Sequence, residues 1–491
     1  MDFGSILTAV EDHLYGSLGR ENDICGLVYD SRQVKPGYAF AAIRGGQADG
    51  HDFIPDAIKN GASVIICEQE LELPGDVGQI LVRDSRRALA DLSAAFYGYP
   101  DRRLRLIGVT GTNGKTTTAN LIKYLLERAG HSCGLVGTLG AWAGAEKLPA
   151  PPAANTTPES PELFRLFAAM MERGCDHAVI EASSHALQQG RTAACHFAGG
   201  VFTNLTQDHL DYHKTMEAYA RAKAVLFSML DEQAYAVVNL DDKYAGQIMQ
   251  ACRCPLYTYG EAEQADLRLL QYSASMKGMD YTVSYGGRNF PVRLPLIGRF
   301  SIYNSLAALG VALAEGLDMA DLVGWLAEAP QTPGRFELID EGQSFTVAVD
   351  YAHTPDGLEN LLRAARALKP RRVITVFGCG GDRDRGKRPL MGRVAGQYSD
   401  VAVLTSDNPR HEDPQAILDM VETGIREVSN NYLVEEQRGR AIELALNMAQ
   451  TGDIVIIAGK GHEDYQLIGD DRLHFDDREQ ARSLLRAKLS K

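Results

Sequence analysis

Leu106-Ile107-Gly108-Val109-Thr110-Gly111-Thr112-Asn113-Gly114-Lys115-Thr116-Thr117-Thr118 is an apolar run that stops at a glycine-bracketed loop and then turns helical. Gly111 and Gly114 lack a Cβ, so the backbone can turn its N–H groups inward around an anion resting on the N-terminus of the next helix. Lys115 adds a charge for terminal phosphates, and the Thr116 hydroxyl is placed to reach a magnesium ion. Leu121, Ile122, Leu125 and Leu126 recur at helical spacing, and Gly130 follows as a C-cap. The usual phosphate loop has a glycine where this chain has Val109, so the loop is a shortened variant.

Outward from this loop, residues 104–331 alternate strand and helix as a parallel sheet does. Strands are expected at Leu104–Val109, Ala178–Ile180, Val201–Thr203 and Tyr235–Asn239, and residues 279–293 read as a hairpin around Gly286-Gly287. After Pro330-Gln-Thr-Pro333-Gly334 a second series begins, with strands at Phe345–Val349, Arg372–Phe377, Val401–Thr405 and Asp453–Ala458. Residues 1–103 read as a small α/β unit with strands Ser63–Cys67 and Gln79–Val82. The expected fold is therefore α/β in three domains, 1–103, 104–331 and 332–491, the central one of the phosphate-loop ATPase type and the last Rossmann-like.

The 491 residues are too many for one core. An apolar fraction of 45% is ordinary for a globular chain, and a net charge of -14 argues against a nucleic-acid partner. The eight cysteines form no Cys-x-x-Cys pair and read as reduced, mostly buried thiols. Met1-Asp-Phe-Gly-Ser-Ile-Leu7 has no long apolar core, and no run approaches the roughly 20 apolar residues that span a bilayer. A soluble, cytoplasmic protein is expected.

Chemistry-bearing residues gather at expected strand ends, where an open α/β sheet holds its ligands. In the central unit these are Glu181-Ala-Ser183-Ser-His185 and Asp208-His209-Leu-Asp-Tyr-His213, a carboxylate and imidazoles suited to metal ions that bridge ATP and a second substrate. In the last unit four loops are rich in charge and glycine: 350–355, 378–388, 406–410 and 459–464. In the first unit Tyr29-Asp30-Ser31-Arg32 and Arg44-Gly-Gly46-Gln47-Ala48-Asp49-Gly-His51 are polar loops, ordinary when taken alone but suited to a ligand's edges.

Thr110–Thr117, Glu181–His185, Asp208–His213, Ala222-Lys223, Val349-Asp-Tyr-Ala-His-Thr-Pro355, Phe377–Arg383 and Gly459–Glu463 together resemble the Mur ligases of peptidoglycan synthesis, across all three units. Within that family Asp407-Asn408-Pro409-Arg410 looks like the form that selects meso-2,6-diaminopimelate over lysine. The resemblance implies an ATP-dependent amide ligase that activates a UDP-N-acetylmuramoyl-L-alanyl-D-glutamate carboxylate as an acyl phosphate and joins diaminopimelate to it. Val109 is normal in this family. The implied cofactor is Mg2+, the co-substrate ATP, and the implied state a cytoplasmic monomer.

Site residues follow from the same resemblance. Lys115, Lys223 and His209 would be catalytic. Gly111, Thr112, Asn113, Gly114, Lys115, Thr116 and Thr117, with Asn304, Arg335 and Asp350, would bind ATP. Tyr29, Ser31, Gly46, Gln47 and Ala48 would contact the uridine nucleotide, and Asn155, Thr156, Thr157, Ser183, Gln189 and Arg191 the muramoyl dipeptide. Arg383, Asp407, Asn408, Pro409, Arg410, Gly459 and Glu463 would form the diaminopimelate pocket. Thr116, Glu181, His209 and Lys223 would hold metal, Lys223 as its carbamate (N6-carboxylysine). From composition alone, Lys223 reads as an exposed helical lysine. The rival readings are a lysine-adding or other Mur- or folylpolyglutamate-type ligase, a phosphate-loop ATPase that forms no bond, and a non-catalytic UDP-sugar sensor.

Overall fold

The computed structural model describes residues 3–10, 13–17, 24–45, 48–149 and 155–489. Gly46 and Gln47 lie outside the described residues. Three main sheets follow one another along the chain. The first has five strands in the order His13–Ser17, Gly78–Val82, Ala62–Cys67, Tyr38–Ala41, Gly26–Val28, all parallel except the first. Helix Ser85–Phe96, capped by Asp84, lays Leu89 and Leu92 on Val64, Ile66, Ile80 and Val82.

The central sheet has eleven strands. Its parallel middle runs Leu267–Ser275, Leu256–Gly260, Tyr235–Asn239, Phe197–Phe202, Arg105–Thr110, His177–Glu181, Cys133–Gly137, with antiparallel strands added at both edges. Arg105–Thr110 is buried on both faces. Ile107 and Val109 meet Leu121, Leu125, Ile302 and Leu306, while Leu106 meets Leu163, Phe164 and Phe167. Successive residues thus feed two helical layers, and the strand's carboxyl end opens between two parallel neighbours, where open sheets bind ligands. Strands Gly278–Tyr285 and Arg288–Leu294 form the expected hairpin, with Gly286 and Gly287 both at positive φ. Cys133–Gly137 escapes sequence reading because its glycine serves packing: a Cβ on Gly134 would lie 2.3 Å from Met170 Sδ.

The last sheet runs Glu337–Ile339, Thr346–Asp350, Ile454–Ala458, Val373–Phe377, Val401–Leu404, Tyr432–Val434, all parallel except the first. Its four charged loops leave the carboxyl ends of the middle strands, as the sequence implies. Several boundaries need correction: Leu104, Phe345 and Asp453 precede their strands and Thr405 follows its own, and two more carry a side-chain reason. Thr203 is past the end of its strand, with its hydroxyl turned to Asn113, and Arg372 precedes its strand, with its guanidinium paired to Asp453. Gly334, at φ +66, sits so close to the 459–464 loop that a Cβ would lie 2.2 Å from His462 N, and its carbonyl accepts from Tyr351 N. Among the described residues, no helix is long and apolar enough to cross a membrane. Six of the eight cysteines are buried.

Candidate active site

The phosphate loop is fixed by close approach. Gly114 takes φ +87 and Gly111 φ +154, and a Cβ would lie 2.4 Å from Asn304 Oδ1 in the first case and 1.8 Å from Thr203 Oγ1 in the second. Residues 203–206 brace the loop: Asn113 N donates to Asn204 Oδ1 (2.9 Å), Thr112 N to Asn204 O (2.9 Å), and Thr203 Oγ1 to Asn113 O (2.7 Å). Helix Lys115–Arg128 starts at the loop's end, with Lys115 Nζ folded back on the carbonyls of Gly111 and Thr112 at 2.9 Å each. Burial lowers the Lys115 pKa, against the pull of Glu181 and Asp208.

The residues expected to hold metal converge here. Thr116 Oγ1 donates to Glu181 Oε2 (3.0 Å), and Thr138 reaches the same carboxylate through both its N–H and its hydroxyl (3.0 Å each). His209 is held in the left-handed region at φ +54, a strained conformation for a side-chain-bearing residue. Burial depresses its imidazole pKa, leaving a neutral ring able to ligate. Lys223, on helix Met216–Ser228, is 1% exposed, so the compositional expectation of an exposed lysine is wrong; docking of that helix on the sheet buries it. Its Nζ donates to Gly111 O at 2.7 Å, and desolvation followed by Lys115 drives its pKa well below the usual value.

The last unit reaches into this site from above the loop. Arg335 Nη2 donates to Thr116 Oγ1 (3.0 Å), and its guanidinium lies 4.5 Å from the centre of the Tyr351 ring. Asp350, raised in pKa by burial, accepts from Phe336 N and Ala352 N, so it shapes the backbone around Arg335. Three further groups were not singled out from sequence. Asp356 Oδ2 accepts from Asn113 Nδ2 (2.7 Å), Lys387 Nζ lies 3.9 Å from Asp208 Oδ1, and half-buried His353 faces both Lys387 and Asp208. Lys387 and His353 belong to the charged loops, which was the one available signal.

A second cluster faces the first unit. Arg191 donates to Thr157 O (2.8 Å) and Gln189 Oε1 (2.7 Å) and pairs with Glu159 (2.9 Å). Thr157 Oγ1 donates to Glu181 O and accepts from Ser183 N, and Thr156 Oγ1 lies 3.3 Å from Thr138 Oγ1, so the chain past Asn155 is tied to Glu181 and its neighbour. Tyr29, its phenol pKa raised by burial and then by Glu162 and Glu159, faces this cluster. Buried Ser31 opens a turn capped by Asp30, while Ala48 is exposed and holds Gly45.

A third cluster lies at the ends of the last unit's strands. Lys460, fully buried, donates to Asn408 Oδ1 (3.0 Å) and lies 3.4 Å from Glu463 Oε2, which also accepts from Asn408 Nδ2 (3.0 Å). Burial alone would raise the Asp407 carboxyl, but Lys460 and Arg438 outweigh it and hold it below the usual range. Gly459, at φ +120, leaves no room for a Cβ beside Asp407 Oδ2 (2.5 Å). Arg410, at φ +53 after Pro409, donates through Nη1 to Gly381 O (2.8 Å). Arg383 Nη1 donates to Asp382 O at the rim. Behind them Arg438 and Asp477 form a fully buried bidentate pair (2.7 Å twice) that also ties Ala458 O.

Residues 23–97, 109–312 and 334–461 match, in turn, the Mur ligase family catalytic domain, the Mur ligase middle domain and the Mur ligase glutamate ligase domain. The chain is 48% identical over 477 residues to the UDP-N-acetylmuramoyl-L-alanyl-D-glutamate--2,6-diaminopimelate ligase of Syntrophomonas wolfei, covering 96% of each chain. It is 47% identical to the enzyme of the same name from Geobacillus thermodenitrificans, with 96% of each covered. A solved structure of a ligase of that name superposes with a TM-score of 0.67 at 36% identity, again covering 96% of each chain.

Proposed function

The chain belongs to the Mur ligase family, and from that premise we propose that it adds meso-2,6-diaminopimelate to UDP-N-acetylmuramoyl-L-alanyl-D-glutamate, using ATP. It is an ATP-dependent acid--amino-acid ligase with Mg2+ as cofactor, working in peptidoglycan synthesis. One observation supports this reading above others: Lys115, Thr116 and Glu181 of the central sheet and Arg335 and Lys387 of the last unit are gathered around one loop built for phosphate.

A carboxylate does not react with an amine at neutral pH, so the γ-phosphoryl group must first pass to it, and two anions must approach. Lys115 and Arg335 oppose that charge at the phosphates, in a buried setting where such charges act strongly. Thr116, Glu181, neutral His209 and a carbamylated Lys223 are the groups we assign to Mg2+. An oxygen-rich set with a fixed carboxylate suits that ion, which supplies further charge neutralisation when bound. The amine then attacks the acyl phosphate, and phosphate leaves from the tetrahedral intermediate. Asn304 and Asp350 are assigned to the adenosine end. Tyr29, Ser31 and Ala48 are assigned to the uridine nucleotide, Asn155, Thr156, Thr157, Ser183, Gln189 and Arg191 to the dipeptide.

Diaminopimelate is assigned to the third cluster. Asp407 and Glu463 offer carboxylates to an ammonium, and Arg410 and Arg383 offer guanidinium groups to a distal carboxylate. The remaining proposals are domain boundaries at 103/104 and 331/332, a monomeric state and a cytoplasmic location. The test is phosphate release with the UDP-linked dipeptide present and a panel of amino acids. Turnover should require both the dipeptide and meso-diaminopimelate; ATP hydrolysis indifferent to both would sink the ligase reading.

A further inference from the structure

At the amino ends of the central strands, the opposite edge from the phosphate loop, His131, Asp176 and His177 place three ligand atoms within 4.8 Å of one another. His131 follows the helix that ends at Arg128, and His177 opens its strand. Both imidazoles turn Nδ1 onto one carboxylate: His131 Nδ1 to Asp176 Oδ2 and His177 Nδ1 to Asp176 Oδ1, each at 2.9 Å. The two rings lie 4.3 Å apart. The other edge of His177 is buried, and its Nε2 has no hydrogen-bond partner but lies 3.6 Å from Glu315 Oε2. Glu315 is anionic in this setting, because Arg105 grips it through two nitrogens and Tyr235 donates to it.

The tautomers of His177 expose the problem. With the proton on Nδ1, the Nε2 lone pair is set against Glu315; with the proton on Nε2, the Nδ1 lone pair is set against Asp176. Either neutral form aims a lone pair at a carboxylate, on the Glu315 side in a buried contact, so the geometry calls for a cation. A proton on His177 would supply it, with Nδ1–H on Asp176 and Nε2–H towards Glu315; a divalent ion is the alternative that also engages His131. One divalent ion would serve both rings and Asp176 at once, and would fix the Nε2–H of His177 towards Glu315. That is the usual arrangement of a metal-bound histidine with an outer carboxylate.

We propose that His131 Nδ1, His177 Nδ1 and the Asp176 carboxylate form a site for a borderline divalent cation of the Zn2+ type, with Glu315 orienting His177 from outside. Metal–ligand bonds of about 2.0–2.2 Å set neighbouring ligand atoms roughly 3.3 Å apart, so the 2.9 Å pairs need only open slightly. Two nitrogen donors beside a single carboxylate suit a borderline ion better than Mg2+, which prefers a set made mostly of oxygen. His131 and Asp176 are partly exposed, leaving an entry path and a position for water. The ion would pin the turn after the phosphate-loop helix to the neighbouring strand.

The test titrates Zn2+, and separately Co2+, into the untagged full-length protein at pH 7.5 in excess Mg2+, comparing the native chain with His131→Ala and Asp176→Asn. The native chain should bind one more equivalent of Zn2+ than His131→Ala, or bind it at least roughly 10-fold more tightly. Zn2+ should raise its Tm by several degrees and leave that of His131→Ala unmoved. Cobalt should give d–d bands without a thiolate charge-transfer band. His131→Ala should keep its ligase rate, which shows that it folds. Equal Zn2+ stoichiometry and Tm response in the two proteins, an absence of Zn2+ binding by the native chain, or a thiolate band unaffected by the substitutions would each overturn the proposal.

Discussion

Lys115 and Lys223 donate to the same acceptor, the carbonyl oxygen of Gly111, at 2.9 and 2.7 Å. Two cations on one neutral oxygen is a poor arrangement, and burial of Lys223 resolves it by pressing that group towards its neutral amine. A neutral amine is what carbon dioxide requires: if the nitrogen attacked the carbon and a proton left, the proposed carbamate would set an anion facing Lys115 in place of a second cation.

Lys223→Ala should therefore reduce turnover by about 10²-fold or more, and Lys223→Arg should be no better, since it restores the charge and not the carbamate. Lys223→Glu should regain part of the activity. Phosphate-release rates, repeated with bicarbonate removed and restored, check this; an Arg variant as fast as the native enzyme would show that a positive charge suffices.

Lys115→Ala removes the cation that faces both approaching anions, and the loss should again be about 10²-fold or more, in rate more than in ATP affinity. Single-turnover formation of the acyl phosphate is the direct measurement. Near-normal ligation by this variant would refute the phosphate-loop assignment.

Asp356, in the last unit, grips Asn113 of the phosphate loop at 2.7 Å and also accepts from Thr206 (3.3 Å). Asp356→Ala should loosen the docking of the last unit on the loop, lowering kcat and raising the KM for ATP together, by roughly 10-fold. In a double-mutant cycle with Asn113→Ala the two losses should fail to add. Small-angle scattering with an ATP analogue and the UDP-dipeptide should show less compaction in the variant than in the native chain.

The structure tempers the expected preference for diaminopimelate over lysine. Arg410 does not face an empty pocket without its ligand, because Nη1 already donates to Gly381 O and the residue is only half-buried. A discrimination of about 10²-fold is expected, well below the roughly 10⁴-fold that a fully buried, stranded partner produces. Arg410→Ala should cost diaminopimelate activity far more than lysine activity; native enzyme using both equally would remove Asp407-Asn408-Pro409-Arg410 as the selector.

Stability should fall as pH drops through the histidine range. Burial, and then Lys387, lowers His353 to about 4, and burial, and then His185, lowers His213 to about 4. Between 6.5 and 4 the unfolded chain binds these protons and the native chain does not, so stability rises with pH across that window. Calorimetry should find Tm several degrees lower at pH 5 than at pH 7.5, with a shallower slope for His353→Gln. A flat profile would contradict the burial of these rings.

What the sequence disclosed and what it withheld separate by range. The phosphate loop, the hairpin at Gly286-Gly287 and the four strand-end loops were legible because each is specified within a dozen residues. Lys223 was not, because in Ala220-Arg-Ala-Lys-Ala only the docking of the helix decides which side is buried. Nor was the grip of Asp356 on Asn113, made across 243 residues and between two units. The strand around Gly134 was not read, because that glycine serves close packing against Met170 and leaves no strand signal of its own.

Gly334 has a mechanical consequence. Its peptide is wedged against His462 and bonded to Tyr351, so it travels with the last unit and cannot belong to a free tether. Any rotation of that unit is confined to the few peptide units ahead of it, which Pro330 and Pro333 stiffen further. Such a pivot would be short and close to Arg335, and would limit the sideways travel of that guanidinium relative to Thr116.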